Sequence, residues 1–236
     1  MSEADGDIIK GIDSDPSHVV VGFFTPNYRE LTERLSANLS EFDLAHHFFA
    51  ISATDWKSAI LLKPEIVGRA RALYPGKSIV LMDVDCIVRG ALDPLFESTQ
   101  NCDIALTLRV KHGLEPRDKK PCDRVWSSSR IVIWRPTDAA ESLLKSWASN
   151  CATPINLWSG DEGFLLRAIS QTPNLRLQTI PKEYGAWEIC DIGPEAIVVH
   201  QSQRATTVPS FRRLRRRAVE LIVRKPYAEW RYRRPG

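Results

Sequence analysis

The stretch KSIVLMDVDCIVRG, residues 77–90, drives the apolar run SIVLM into two aspartates one residue apart, Asp83 and Asp85. Along an extended backbone, residues i and i+2 share a side, so both carboxylates can point the same way. Open α/β sheets bind ligands where their strands end at the carboxyl edge, because the loops there converge on one crevice. Two hard oxygen ligands at such a point suit Mg²⁺ or Mn²⁺, whose coordination is completed by water and substrate phosphates. The alternative is one aspartate capping the next turn and the other solvated; the apolar strand in front of the pair favours the metal. His200 ends a second apolar run, AIVVH, in the same manner, and neutral imidazole is a common ligand for first-row metals. Arg204, shortly after it, could hold a diphosphate or simply begin the charged tail. In SGDEGFLLRAI, residues 159–169, Asp161 and Glu162 open a helix whose Phe164, Leu165 and Ile169 share a buried side. Acids at that position serve either a ligand or the helix dipole, and the residues alone leave both open.

The elements that must position these groups alternate. HVVVGFF reads as a buried strand from its β-branched and aromatic content. Leu31, Leu35, Leu39 and Phe42 recur at helical spacing over 28–41, and LAHHFFAIS reads as a second strand. KPEIVGRARALYP reads as a helix with Pro64 in its first turn and Pro75 at its stop, feeding the strand SIVLM. DIALTLRV is a further strand, 111–124 a charged loop containing proline, and SRIVIW another strand. Helices are expected at about 137–149 and from Gly160, and the short strands LRLQTI and AIVVH close the body. The pattern predicts an α/β fold, a mixed sheet flanked by helices in a single domain, with no internal repeat.

A chain of 236 residues with 43% hydrophobic and 26% charged residues can bury a full core. No run approaches the roughly 18 apolar residues of a membrane span, and the first thirty residues lack a signal pattern, so a cytoplasmic location is expected. The five cysteines (Cys86, Cys102, Cys122, Cys151, Cys190) are odd in number and widely spaced, which predicts reduced, packed thiols and no zinc site. The net charge of +3 is uneven: residues 204–236 carry eleven Arg or Lys against two Glu, which leaves the body at −6.

Taken in order, VGFFTPNY, LLKPEIV, IVLMDVDCIVRGALDPLF, SSSRIVIWRPT, SGDEGFLL and AIVVHQSQR resemble the nucleotide-diphospho-sugar glycosyltransferases of the GT-A fold, in particular bacterial relatives of the glycogenin-like and galactosyltransferase-like families. The resemblance spans 18–204 and implies a Rossmann-like GT-A domain there, after a flexible start at 1–17 and before a basic tail at 205–236. It implies a hexosyltransferase that moves a sugar from a nucleotide-diphosphate donor, a UDP-sugar, to a glycan or lipid-linked acceptor. Asp83, Asp85 and His200 would hold Mn²⁺ or Mg²⁺, which stabilises the departing diphosphate. Phe23 and Thr25 would contact the nucleoside, and Lys63 the donor phosphate or sugar. Asp83 and Arg204 would also serve the donor. Asp161 and Glu162 would act as catalytic or sugar-binding acids. The sequence departs from the pattern where Glu162 stands in place of a frequent Gln and Ser127–Ser129 in place of an Asn-Ser-Gly type of turn. The donor sugar and the stereochemical outcome therefore stay open.

In the tail, Phe211, Leu214, Ala218, Leu221 and Ile222 form one helical stripe among arginines. Residues 210–234 are thus expected either to lie on an anionic membrane, making the enzyme peripheral at the inner leaflet, or to pack on the body. Nucleic acid is disfavoured because no recognition fold accompanies the charge. Two rival functions remain. One is a phosphohydrolase of the haloacid dehalogenase type, whose D-x-D normally lies near the N-terminus. The other is a non-catalytic module that binds nucleotide sugar or membrane.

Overall fold

The structure is a computed structural model and describes residues 6–52, 55–114, 121–153, 160–185 and 194–200. Arg204 and the tail at 205–236 lie outside the described residues, as does Cys190. The strands are β1 (Ile8–Lys10), β2 (His18–Phe24), β3 (His46–Ala50), β4 (Ser78–Met82), β5 (Cys86–Val88), β6 (Ile104–Leu114), β7 (Pro121–Trp134), β8 (Leu177–Thr179) and β9 (Val198–His200). The helices are α1 (Arg29–Glu41), α2 (Trp56–Leu61), α3 (Lys63–Leu73), α4 (Asp93–Ser98), α5 (Asp138–Ala152) and α6 (Gly160–Gln171). Seven strands form one sheet in the order β1-β3-β2-β4-β7-β6-β8, and β5 pairs with β9 in a separate ribbon. Strands β3, β2 and β4 run parallel, whereas β7 is antiparallel to both β4 and β6. The sheet is therefore mixed, as the alternation of elements predicts.

Both faces are covered, which is why the strands read as continuous apolar runs. The two-residue period sorts them. Val19, Val21, Ile79, Leu81, Ile104, Leu106, Val132 and Trp134 pack on one face against Val67 of α3, Leu143 and Trp147 of α5, and Phe164 and Leu165 of α6. Val20, Val80, Met82, Ala105, Ile131 and Ile133 face the other way, onto Leu35 and Leu39 of α1, Leu95 and Phe96 of α4, and the β5/β9 ribbon. Gly22 permits the tight approach of β2 to β4 near their carboxyl ends, since a Cβ there would sit 2.5 Å from the Met82 carbonyl oxygen. Strand β2 therefore delivers Phe23 and β4 delivers Asp83 to the same edge, each two residues beyond the Val21–Leu81 pairing.

Two expectations need correction, the start and the 111–124 loop, and two elements add to the reading. The start at 1–17, read as flexible, contains β1, which pairs antiparallel with β3; Asp7 fastens it by accepting from Ala50 N at 2.8 Å and contacting His47 Nε2 at 2.9 Å. A short helix, α2, precedes α3, capped by Asp55, whose Oδ1 accepts from Ser58 N at 3.0 Å. Most of the loop placed at 111–124 is strand, because β6 continues to Leu114 and β7 begins at Pro121, with pairing from Lys111↔Arg124 to Leu114↔Pro121. Charged residues on a two-stranded ribbon need no apolar alternation, so periodicity was silent there. Finally, AIVVH supplies β9, which pairs antiparallel with β5, a strand the sequence reading did not separate from the D-x-D turn. Cys86, Cys102 and Cys151 are buried free thiols.

At the far edge of the sheet, Asp103 accepts from Arg176 N at 2.8 Å and Arg176 Nη2 at 2.7 Å, with its side chain 3% exposed. These bonds, led by the guanidinium, hold the Asp103 carboxyl down at about 2. A carboxylate with a depressed folded-state pKa stabilises above its unfolded value near 4, and that contribution is lost as pH falls through about 2. The wild-type protein should therefore lose stability between pH 4 and pH 2 more steeply than Asp103→Asn. Urea midpoints measured across that range check this; parallel slopes refute it.

Candidate active site

Asp83, Asp85 and His200 come together, though not by alternation along an extended strand. After β4 the chain turns at Val84 and Asp85, with Cys86 N donating to Asp83 O at 3.1 Å, and continues as β5. Strand β9 pairs with β5 so that His200 stands opposite Cys86. This register places His200 Nε2 2.8 Å from Asp85 Oδ1 and 3.8 Å from Asp83 Oδ2. One ligand atom from each of the three residues lies within 4.8 Å of the others. Two carboxylates and an imidazole nitrogen are a donor set that fits Mg²⁺ or Mn²⁺, with the remaining positions open to water and phosphate oxygens.

Lys63 connects this cluster to the second acidic pair. It begins α3 beside Pro64, is 4% exposed, and points its Nζ under the sheet edge. There it meets Asp83 Oδ1 at 2.9 Å, Ser129 Oγ at 2.9 Å, Ser129 O at 3.3 Å and Asp161 Oδ2 at 3.3 Å. An ammonium has three N–H groups, and four protein acceptors share them. Burial alone would lower the Lys63 pKa, but Asp161 and Asp83 outweigh it and the net direction is up. Sequence reasoning placed Lys63 against the donor; in the structure its donors are occupied by the protein.

Asp161 and Glu162 occupy the first turn of α6, and they differ sharply. Asp161 is 6% exposed, and Ser129 Oγ donates to its Oδ2. Its backbone carbonyl accepts from Trp147 Nε1 at 3.1 Å, which ties the start of α6 to α5. Glu162 is partly exposed; its Oε1 accepts from Ser129 N at 3.4 Å and its carbonyl from Ser127 Oγ at 3.1 Å. Burial, then the charge of Asp161, push the Glu162 carboxyl up, against the opposing pull of Lys63 and Arg130. Burial likewise raises the Asp83 carboxyl, partly countered by Lys63, while the hydrogen bond and charge of His200 outweigh desolvation and lower that of Asp85.

The residue that sequence reasoning undervalued is Ser129. On β6, Leu106 pairs with Val132 and the next residue, Thr107, pairs with Ser128, so Ser129, Arg130 and Ile131 bulge out of that ladder. Strand β4 takes up the released backbone, with Ile131 opposite Met82 and Asp83 N donating to Arg130 O at 2.9 Å. Bulges redirect side chains beside functional sites, and this one brings Ser129 between Lys63 and Asp161. The available signal was three consecutive serines in front of an apolar strand, all three buried.

Phe23 lies at the same carboxyl edge, packed partly against the core, and Thr25 follows where the chain leaves β2, its Oγ1 donating to Asn27 Oδ1 at 2.5 Å. Of the expected site residues, then, Asp83, Asp85, His200, Lys63, Asp161 and Glu162 form one connected cluster. Phe23 and Thr25 flank the edge, and Arg204 lies outside the described residues.

No protein-family profile and no curated protein matches the sequence. Solved structures do match. The crystal structure of a glycosyltransferase involved in the glycosylation of the major capsid of PBCV-1 is similar at a TM-score of 0.57 and 14% identity, over 84% of this chain and 97% of that one. The glycosyltransferase GlyE of Streptococcus pneumoniae TIGR4 is similar at a TM-score of 0.49 and 14% identity, over 78% of this chain and 54% of that one. LgtC, a galactosyltransferase solved in complex with donor and acceptor sugar analogues, gives a TM-score of 0.49 and 8% identity, over 84% of this chain and 94% of that one. The first of these aligns over 84% of this chain and 97% of the other, and with its seven-stranded mixed sheet flanked by helices this chain has the GT-A fold.

Proposed function

We propose that the protein is a metal-dependent glycosyltransferase that moves a hexose from a UDP-sugar to a hydroxyl of a glycan or lipid-linked acceptor. The observation that carries this reading is the convergence of Asp83, Asp85 and His200 within 4.8 Å at the carboxyl edge of a GT-A sheet. A Mn²⁺ or Mg²⁺ held by these three residues would neutralise the diphosphate as it leaves. In this reading Phe23 and Thr25 border the nucleoside, and Arg204 reaches the diphosphate. Lys63, 2.9 Å from Asp83 Oδ1, orients Asp83 and offsets part of the desolvation that raises its carboxyl. Two further carboxylates, Asp161 and Glu162, stand beside the clamp where the sugar would lie. A glycosyltransferase needs such a preset electrostatic site more than it needs a nucleophile, because most of the barrier lies in separating the sugar from its charged leaving group.

Thermal unfolding in the presence of UDP, GDP and a panel of nucleotide sugars, each with Mn²⁺ or with EDTA, tests the proposal. The expected result is a rise in Tm for UDP and one or more UDP-sugars that EDTA abolishes, accompanied by UDP release when a suitable acceptor is added. A chain that responds to no nucleotide in the presence of metal would instead be a non-catalytic module. Release of phosphate from a simple aryl phosphate would instead favour a phosphohydrolase.

A further inference from the structure

We infer that Asn38, on α1, is a positioning residue for the cluster of Asp83, Asp85 and His200: its amide takes the place of a neighbouring strand along β5 and so fixes the ribbon that carries His200. The step from ribbon to cation rests on the metal-dependent reading above. The clasp itself rests on geometry alone.

Strand β5 has β9 on one side and, among the described residues, no strand on the other. In an antiparallel pair, successive residues turn their N–H and C=O alternately toward the partner and away from it. Arg89 N donates to Ile197 O at 2.7 Å, one step beyond the Val88–Val198 pairing, so the polar groups of Val88 point away from β9. Asn38 meets both of them. Its Oδ1 accepts from Val88 N at 2.7 Å, and its Nδ2 donates to Val88 O at 2.9 Å. The contacts also fix which end of the amide is which, because the N–H must meet oxygen and the carbonyl must meet the NH₂ group. Asn38 thus exchanges two bonds with Val88 as a residue of an adjoining strand would.

The ribbon needs such a clasp because its register is weakly specified. Strands β5 and β9 have three residues each, and a slip of one residue would turn His200 to the opposite face. Leu35 and Leu39 of α1 share a buried cluster with Val84, Cys86, Val88 and Val198, but apolar burial is non-directional and tolerates a slide. Backbone bonds tie the ribbon elsewhere, from Cys86 N to Asp83 O at 3.1 Å and from Ile197 N to Glu183 O at 2.7 Å. Asn38 joins it to α1, at a point two residues from Cys86, which stands opposite His200. Groups that orient metal ligands from outside typically change metal affinity about 10- to 100-fold when removed. Asn38 acts through intervening backbone, so the lower end, about 10-fold, is expected.

The test compares Asn38→Ala with the wild type and with Asp103→Asn, which weakens the far edge of the sheet. Its readouts are the urea midpoint, hydrogen exchange at Val88, Mn²⁺ affinity in the presence of UDP from the paramagnetic resonance of free Mn²⁺, and turnover of the UDP-sugar against Mn²⁺ concentration. Alanine favours the helix, so a lower midpoint in Asn38→Ala reports the lost clasp rather than damage to α1. The Val88 amide should exchange roughly 10-fold faster, as expected for a lost hydrogen bond. Mn²⁺ affinity should fall about 10-fold, while turnover at saturating Mn²⁺ stays within about threefold of wild type. Asp103→Asn should lower the midpoint and leave Mn²⁺ affinity unchanged. Wild-type Mn²⁺ affinity in Asn38→Ala, an equal loss in Asp103→Asn, or a turnover loss that saturating Mn²⁺ does not recover overturns the positioning role. Unchanged exchange at Val88 overturns the clasp. If the wild-type chain binds no Mn²⁺, the metal reading and the positioning role fall together, whereas exchange at Val88 still decides whether Asn38 fixes the ribbon.

Discussion

Lys63→Met is expected to destabilise the protein by about 3–5 kcal/mol, the range found when one partner of a buried ion pair is removed. In a chain of this size that corresponds to a fall in Tm of roughly 10 °C. Lys63 is the cation shared by Asp83 and Asp161, and methionine fills much of the same space without a charge. The loss is therefore electrostatic rather than a packing defect. Two carboxylates, 25% and 8% exposed, are then left facing each other across Ser129 with no cation between them. One must take up a proton or both must move toward water, and either change disturbs the clamp. If this account is right, Lys63→Met combined with Asp161→Asn recovers part of the loss, because one of the stranded charges is gone. Urea denaturation of the two variants at neutral pH is the check. A loss below about 1 kcal/mol for Lys63→Met, or a double variant worse than the sum of the singles, refutes it.

This expectation differs from the one that the sequence supports, and the difference is instructive. The family resemblance implies that Lys63, at the start of the helix before the D-x-D strand, serves the donor phosphate or sugar. What it cannot show is that Ser129, 66 positions later, reaches the same ammonium. The bulge responsible is a register event between β6 and β7, and register depends on strand pairing that local periodicity does not encode. The central strands were legible for the opposite reason. SIVLM and HVVVGFF are buried on both sides, so their composition alone identifies them. The same holds for α3, whose Pro64 sits where a first helical turn tolerates it. The cluster of Asp83, Asp85 and His200 stands between these cases. Asp83 and Asp85 could be chosen from the strand in front of them, and His200 from the apolar run that it ends. Yet the ribbon of β5 and β9 that brings His200 to Asp85 was invisible, because three-residue strands carry almost no pattern. Asp161 and Glu162 were equally ambiguous as cap or ligand, since acids suit a helix start for either purpose. Only the contacts of their carboxylates distinguish them.

Asp85→Ala provides the complementary test, because it should remove function while leaving the fold almost untouched. Asp85 contacts His200 at 2.8 Å, whereas the ion pairs of Lys63 go to Asp83 and Asp161, and the charge of Lys63 reaches Asp85 as a lesser attraction. Removing it relieves like-charge repulsion on Asp83 and costs His200 one acceptor, two small effects of opposite sign. The unliganded variant should therefore unfold within about 1 kcal/mol of wild type, as exchanges outside a buried network commonly do. Its response to ligand should be gone. A nucleotide at 100 times its dissociation constant stabilises a binding-competent protein by about 2.7 kcal/mol, or roughly 5 to 10 °C in Tm here. That rise, present in wild type with Mn²⁺ and UDP, is expected to vanish in Asp85→Ala as it does with EDTA. Loss of the several kcal/mol that a bound cation gives a departing diphosphate should lower turnover by at least about 10³-fold. Lys63→Met and Asp85→Ala thus separate two properties that lie only a few ångströms apart. The lysine holds the acids in place, and in the proposed mechanism the aspartate would help to hold the cation. A nucleotide response that persists in Asp85→Ala would place the donor site away from the D-x-D turn and remove the metal from the proposed mechanism.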